Sequence, residues 1–282
     1  MIIVVASGKG GTGKTLVTTA LALCAGECTY MDLDVEEPNG AIFLKPEIEQ
    51  EIPYKVLVPE IDREKCSYCG KCAQACVYNA LMVVASAKMA MVFPELCHSC
   101  GVCRFVCPVG GAIRETHREI GWIRTGKSGA IHFIEGRLNV GQPSAVPLIA
   151  GIVADYMDNE SNRLFLLDAP PGTSCPVVET MKKSDYVLLV TEPTPFGLND
   201  LELAVELVQK RGLKAGIIIN KDEKGQTLID DFARRVGLPI LLRIPYGMDI
   251  QESYSMGIPL TEVRHGIKES LQDVLAKITG TQ

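Results

Sequence analysis

Short runs of apolar and β-branched residues recur along the chain, and most end on a polar residue or a proline. Ile2, Ile3, Val4 and Val5 lead into a glycine-rich loop. Thr29 to Leu33 ends at Asp34, Leu164 to Leu167 at Asp168, and Tyr186 to Val190 at Thr191. Ala215 to Ile219 ends at Asn220 and Leu238 to Ile244 at Pro245. Runs that are apolar throughout, without alternation, fit strands covered on both faces, as in a parallel sheet. Helical spacing separates most of them: Leu201, Ala204, Val205 and Val208 fall on one face of Asp200–Arg211, and Thr227–Val236 follows. Ile267, Leu271, Val274, Leu275 and Ile278 mark one face of a last helix. The pattern predicts an α/β fold with a doubly wound, mostly parallel sheet and polar groups gathered at the carboxyl ends of its strands.

One block breaks this alternation. Of eleven cysteines, eight fall in two runs of the same C-x2-C-x2-C-x3-C spacing: Cys66, Cys69, Cys72, Cys76, then Cys97, Cys100, Cys103, Cys107, the second ending in Pro108. This spacing supplies three thiolates from one tight loop, while the fourth cysteine reaches the other centre. It predicts two [4Fe–4S] clusters, one on Cys66, Cys69, Cys72 and Cys107, the other on Cys97, Cys100, Cys103 and Cys76. A zinc knuckle needs only four ligands and gives no reason for a crossed, repeated pattern. Between the runs, Ala80–Phe93 reads as a β-hairpin-like segment. We therefore expect an inserted α+β ferredoxin-like domain over residues 60–116, in a host formed by residues 1–59 and 117–282. Gly121–Leu138 adds more strand and turn, with Ile123, Ile131 and Phe133 as its apolar positions.

Composition narrows the classes. At 282 residues the chain can bury a full core, and 47% hydrophobic with 22% charged residues is ordinary for a globular protein. A net charge of −6, before any cluster adds more negative charge, argues against a nucleic-acid partner. The first apolar run lacks a basic leader and stops at the glycine loop, so it reads as a strand and not a signal peptide. No apolar stretch approaches the ~20 residues that span a bilayer. We therefore expect a cytoplasmic protein, in which cysteines spaced this way hold metal and not disulfides.

The glycine loop is Gly8-Lys9-Gly10-Gly11-Thr12-Gly13-Lys14-Thr15, a G-x4-G-K-T phosphate loop between a strand and the helical positions Leu16, Ala20 and Leu23. Its backbone N–H groups would curl around a phosphate, with Lys14 on the β- and γ-phosphates and the Thr15 hydroxyl on Mg²⁺.

The second lysine, Lys9, makes this loop resemble the deviant form of the MinD/ParA/Mrp group of P-loop ATPases. The resemblance continues through Asp32-Leu33-Asp34, Leu167-Asp168-Ala169-Pro170-Pro171-Gly172-Thr173, Thr191-Glu192-Pro193-Thr194 and Ile219-Asn220-Lys221, and so covers the whole host. As a whole the arrangement is similar to MinD-superfamily ATPases that carry an inserted ferredoxin domain. The resemblance implies a homodimer closed over two ATPs, with Lys9 touching the partner subunit's nucleotide. It implies that Asp34 activates the attacking water, Asp168 holds Mg²⁺ through a water, the Gly172 backbone senses the γ-phosphate and Asn220 hydrogen-bonds adenine. Asp32 reads as a structural cap. In Asn220-Lys221-Asp222-Glu223 a glutamate stands where guanine readers place aspartate, which favours ATP over GTP.

Departures from the group matter too. The chain lacks the C-x-x-C pair that Mrp-type scaffolds carry near the carboxyl end, since no cysteine follows Cys175. In the last helix Lys268 and Lys277 are balanced by Glu269 and Asp273, which suits a helix docked on the core better than a membrane anchor. Cys24 and Cys28 read as small buried apolar residues, Cys175 as an interface or packing residue and His98 as a loop filler. The function expected is an ATP-hydrolysing dimeric switch that couples nucleotide state to electron transfer to a partner metalloprotein. A metal or Fe–S maturation factor, and a MinD/ParA-like positioning scaffold with a redox-sensing module, are the alternatives.

Overall fold

The structure is a computed structural model that describes residues 1–157, 163–223, 225–264 and 266–280. The chain opens with β1 (Ile2–Ala6), α1 (Lys14–Ala25), β2 (Cys28–Asp32), α2 (Gly40–Leu44) and the long β3 (Glu47–Ile61). The cysteine block follows as α3 (Lys71–Ala75), β4 (Leu81–Val84), β5 (Met89–Val92) and α4 (Val102–Phe105). Then come β6 (Ile113–Ser128), β7 (Ile131–Leu138), α5 (Val146–Met157), β8 (Phe165–Asp168), α6 (Cys175–Thr180), β9 (Tyr186–Thr191) and α7 (Pro195–Lys210). The remainder is β10 (Lys214–Asp222), α8 (Leu228–Val236), β11 (Ile240–Pro245), α9 (Met248–Ser255), α10 (Leu260–Val263) and α11 (Ile267–Thr279).

Two compact units divide the chain: Met1–Glu51 with Ile123–Arg137 and Ile149–Gln282, and Ile52–Trp122 with Leu138–Leu148. In the first, the strand order is β11-β10-β9-β1-β8-β2-β7, with β6 and β3 beyond β7. Every pairing from β11 to β7 is parallel, as the uninterrupted apolar runs require. The reversal of strand order around β1 is the switch point at which α/β sheets bind ligands. Register aligns Asp32 with Asp168 on one side and with Glu135 on the other, so three acidic side chains sit in one row across β8, β2 and β7.

The predicted helices form, with ends shifted by a few residues. Thr194 caps α7 by accepting the Gly197 N–H at 3.0 Å, and Pro195 occupies its first turn. On α11, Ile267, Leu271, Val274 and Leu275 are buried in the same core cluster as Leu16, Val17 and Leu21 of α1. The terminal helix is thus docked on the core, as its balanced charge suggested, and among the described residues no helix is long and apolar enough to cross a membrane.

Two elements differ from the sequence reading. The strand β3 was not anticipated: Glu47, Glu49 and Glu51 make its first half look like a charged loop, yet they alternate with Ile48 and Ile52 at the strand period. It lies at the sheet edge, where Pro53 and Pro59 are tolerated. Gly121–Leu138, expected only as strand and turn, resolves into the end of β6 and all of β7, which pairs with β2.

In the second unit, β4 and β5 pair antiparallel (Leu81 with Val92, Val84 with Met89), the hairpin expected for Ala80–Phe93. Its small core joins Cys72, Ala80, Leu81 and Ile113, with Ile61, Val83 and Val92 around them.

Candidate functional site

The phosphate loop lies between β1 and α1, and its last glycine decides its shape. Gly13 caps α1 at φ 88°, a left-handed conformation, and a Cβ there would stand 2.2 Å from the Asn220 amide nitrogen. Lys14 and Thr15 are carried on the first turn of the helix and are buried. The Lys14 ammonium meets Asp168 Oδ1 at 2.7 Å and Asp34 Oδ2 at 3.7 Å. Burial works against its charge, but Asp168 and Asp34 outweigh it and hold the Lys14 pKa above the usual value. Thr18 Oγ1 also reaches Asp168 Oδ1, at 3.3 Å.

Asp34 also has a raised pKa, which for a carboxyl favours the neutral form. Burial raises its pKa to about 6, with Lys14 pulling it down and Asp168 pushing it up. Asp32, fully buried, is raised well above the ordinary carboxylate range by burial and by Asp168. It accepts the backbone N–H groups of Asp34 at 3.2 Å, Asn39 at 3.0 Å and Gly40 at 2.8 Å, so it ties down the loop that carries Asp34, in keeping with a structural role.

Asn220, at the end of β10, donates its amide to the Thr12 carbonyl at 2.7 Å. Lys221 reaches the Gly11 carbonyl at 3.2 Å and Glu192 at 2.5 Å. Lys9 pairs with the other oxygen of Glu192 at 3.3 Å, inside its own chain. Despite some burial of its carboxyl, Lys221 and Lys9 hold the Glu192 pKa below its usual value. The Gly172 N–H donates to the Ser7 carbonyl at 2.9 Å, which straps the loop after β8 to the start of the phosphate loop. Thr12 Oγ1 is buried and, among the described residues, finds no hydrogen-bond partner.

Some of these groups line a cavity of about 480 Å³, within the range that holds small molecules and cofactors. Residues 9–16, Asp34, Asn220 and Lys221 line one part of it, and Tyr246, Gly247, Ile250, Gln251 and Tyr254 another. The sequence reading missed the second set. Its only signal was Pro245, a strand end on the same edge of the sheet as Asp34 and Asp168.

The cysteines form two further cavities within the second unit. Cys66, Cys69, Cys72 and Cys107 line one, and Cys76, Cys97, Cys100 and Cys103 the other. Each of these two sets takes three cysteines from one run and the fourth from the other. The loops repeat each other: Tyr68 and Ser99 have φ 54° and 57°, and Gly70 and Gly101 have φ 76° and 72°. Left-handed turns at these positions direct the Tyr68 N–H to Cys66 Sγ and the Ser99 N–H to Cys97 Sγ, both at 3.4 Å. The Ala80 N–H reaches Cys76 Sγ at 3.3 Å. Burial raises the Cys72 thiol pKa, with Cys107 and Cys66 adding to it; burial takes Cys103 to about 11, with Cys97 and Cys100 adding to it. Among the described residues, no group of three or more His, Cys, Asp or Glu side chains is arranged to hold a single metal ion.

Of the remaining singled-out residues, Cys28 is buried, with its thiol pushed up to about 12, and Cys24 is half-buried. Cys175 is exposed at the start of α6. His98 is more than loop filler: its ring stacks on Tyr78, 3.6 Å between centroids and 9° from parallel.

Comparison with known proteins adds a second line of evidence. The family described as CobQ/CobB/MinD/ParA nucleotide binding domain matches residues 3–260. An uncharacterized protein of Methanocaldococcus jannaschii is 29% identical over 287 residues, covering 99% of this chain and 96% of that one. A ferredoxin of Pyrobaculum islandicum is 36% identical over 74 residues, 24% of this chain and 68% of the ferredoxin. The septum site-determining protein MinD of Pyrococcus horikoshii, complexed with Mg-ADP, superposes with TM-score 0.59 at 18% identity, covering 98% of this chain and 95% of that one. The cell division ATPase MinD of Pyrococcus furiosus gives 0.56 at 19% identity, covering 100% and 99%. At these identities the structural likeness establishes the fold.

Proposed function

The chain belongs to the CobQ/CobB/MinD/ParA nucleotide-binding family, and from that premise we propose that it is an ATP-driven dimeric switch carrying two [4Fe–4S] clusters, which couples nucleotide state to electron transfer to a partner metalloprotein. The observation that carries this reading is the pairing, in one chain, of a nucleotide cavity with two cavities each lined by a crossed quartet of thiols.

The nucleotide half follows from the site's chemistry. Thr12 Oγ1, buried and without a partner among the described residues, and the N–H groups of the glycine loop suit a phosphate. Lys14 would exchange part of its pairing with Asp168 for phosphate oxygens, while Thr15 and Asp168 hold Mg²⁺. Asp34, ionised above about pH 6, would orient the attacking water and accept its proton. The water oxygen bonds to the γ-phosphorus as the bridge to the β-phosphate breaks, giving ADP and phosphate; the proton passes from Asp34 to solvent. Lys9 would leave Glu192 to reach the partner subunit's nucleotide. Asn220 would turn from Thr12 to adenine, and the Gly172 N–H from Ser7 to the γ-phosphate.

The cysteine half fits the clusters by its donor set. Residues 60–116 would form the inserted domain, with Cys66, Cys69, Cys72 and Cys107 on one cluster and Cys97, Cys100, Cys103 and Cys76 on the other. Four thiols around each cavity are the donor number that a [4Fe–4S] cluster would need. When bound, such clusters supply one-electron chemistry at a potential set by exposure and by hydrogen bonds to sulfur. The N–H groups of Tyr68, Ala80 and Ser99 supply such hydrogen bonds.

The test is the rate at which anaerobically purified, reduced protein passes electrons to a one-electron acceptor, with MgATP and with MgADP. The reading predicts a faster rate with MgATP and no difference in Lys14→Ala. Equal rates in the unaltered protein would overturn it.

A further inference from the structure

Asp168 is fully buried, so both its oxygens need partners from the protein. Lys14 and Thr18 serve Oδ1. Oδ2 is served by Tyr30, whose hydroxyl donates to it at 3.3 Å from two residues before Asp32 on β2. In the sequence Tyr30 looks like one more aromatic in an apolar strand, yet it carries a hydroxyl at 0% exposure bonded to Asp168.

The same hydroxyl touches a second element. A Cβ on Gly40 would lie 2.2 Å from the Tyr30 oxygen and 2.6 Å from two of its ring carbons. Gly40 is not in a left-handed conformation, so what keeps a side chain out is the tyrosine and not the backbone. The Gly40 N–H in turn donates to Asp32, which anchors the Asp34 backbone. On its other side the Tyr30 ring stacks on Phe133, 5.7 Å between centroids and 13° from parallel. The ring therefore has little room to move, and its oxygen is fixed between Asp168 and the segment that carries Asp34.

We propose that Tyr30 is a positioning residue: its hydroxyl orients Asp168 for the magnesium-dependent part of nucleotide binding and ties that orientation to the 34–40 segment. The inference rests on the ATPase reading above.

The experiment measures the affinity of the full-length protein for a fluorescent ATP analogue with and without Mg²⁺, so it needs no turnover. In Tyr30→Phe the magnesium enhancement should fall about three- to tenfold, as for one hydrogen bond of ordinary strength, with magnesium-free affinity unchanged. Gly40→Ala should lower the enhancement similarly by displacing the ring, and the two losses should overlap, not add, in the double variant. An undiminished enhancement in Tyr30→Phe, an equal loss of magnesium-free affinity, or additive losses in the double variant would overturn the proposal. Unaltered protein that binds no ATP analogue under either condition would instead overturn the nucleotide reading, and this inference with it.

Discussion

The Lys14 ammonium, on the first turn of α1, and the Asp168 carboxylate, at the end of β8, form a buried ion pair with Nζ 2.7 Å from Oδ1. Asp168 also lies in register with Asp32, so Lys14 offsets a local excess of negative charge. Removing one member of a buried pair leaves the other uncompensated, at a cost of about 3–5 kcal/mol. Lys14→Met should therefore lower the stability of nucleotide-free protein by that order and abolish ATP binding. Denaturant unfolding checks the first and equilibrium dialysis the second; unchanged stability would mean that the pair does not carry this role.

Asp34 gives a pH dependence of known sign. Its folded pKa of about 6 lies above the ordinary 3.8, so the folded state holds its proton more tightly than the unfolded chain. Its contribution to stability is therefore fully present at low pH and is lost as pH rises from about 4 to about 6. Asp34→Asn should be more stable than the unaltered protein at neutral pH, with the advantage gone below about pH 4. Turnover should rise with pH through about 6 and then level off, and the Asn variant should be about a hundredfold slower or worse. Thermal melts at several pH values, with phosphate release, test both arms.

The crossed thiol quartets make a prediction about grouping. Cys107→Ser should remove the same spectroscopic signal as Cys66→Ser or Cys72→Ser, and Cys76→Ser the same signal as Cys97→Ser or Cys103→Ser. In each, iron and sulfide content should fall by half. Loss of both signals from every variant would argue against two separately held clusters.

Glu192 holds Lys9 within its own chain, at 3.3 Å. If Lys9 must leave it to reach a partner subunit, Glu192→Gln should favour ATP-dependent self-association several-fold by weakening the competing pair. Light scattering over a concentration series with a non-hydrolysable analogue provides the check. A weaker dimer would show that Glu192 itself belongs to the interface.

The sequence exposed those parts of the molecule in which chemistry is local. Gly8 to Thr15 needs a strand before it and a helix after it, and the hydrophobic pattern supplies both. Asp34, Asp168 and Asn220 announce themselves by ending apolar runs, and the two cysteine runs by their spacing. What stayed hidden depends on contacts distant in the chain. Tyr246 and Tyr254 line the cavity through the shape of β11 and α9 and carry no motif. Tyr30 is indistinguishable in sequence from a core aromatic until its oxygen is placed against Asp168. Glu192 was visible in a motif, but its hold on both Lys9 and Lys221 arises only when β9 and β10 lie beside β1 and the phosphate loop. The strand β3 was missed because its exposed glutamates mask a period-two pattern.

The central claim is that nucleotide state and the cysteine sites are energetically linked. Its most direct test is the midpoint potential of each cluster in anaerobically purified protein, with and without Mg²⁺ and a non-hydrolysable ATP analogue. A one-electron couple moves ~59 mV for each tenfold change in equilibrium. The account predicts a shift of about that size or larger in at least one cluster, absent from Lys14→Ala. Identical potentials in both states would contradict it.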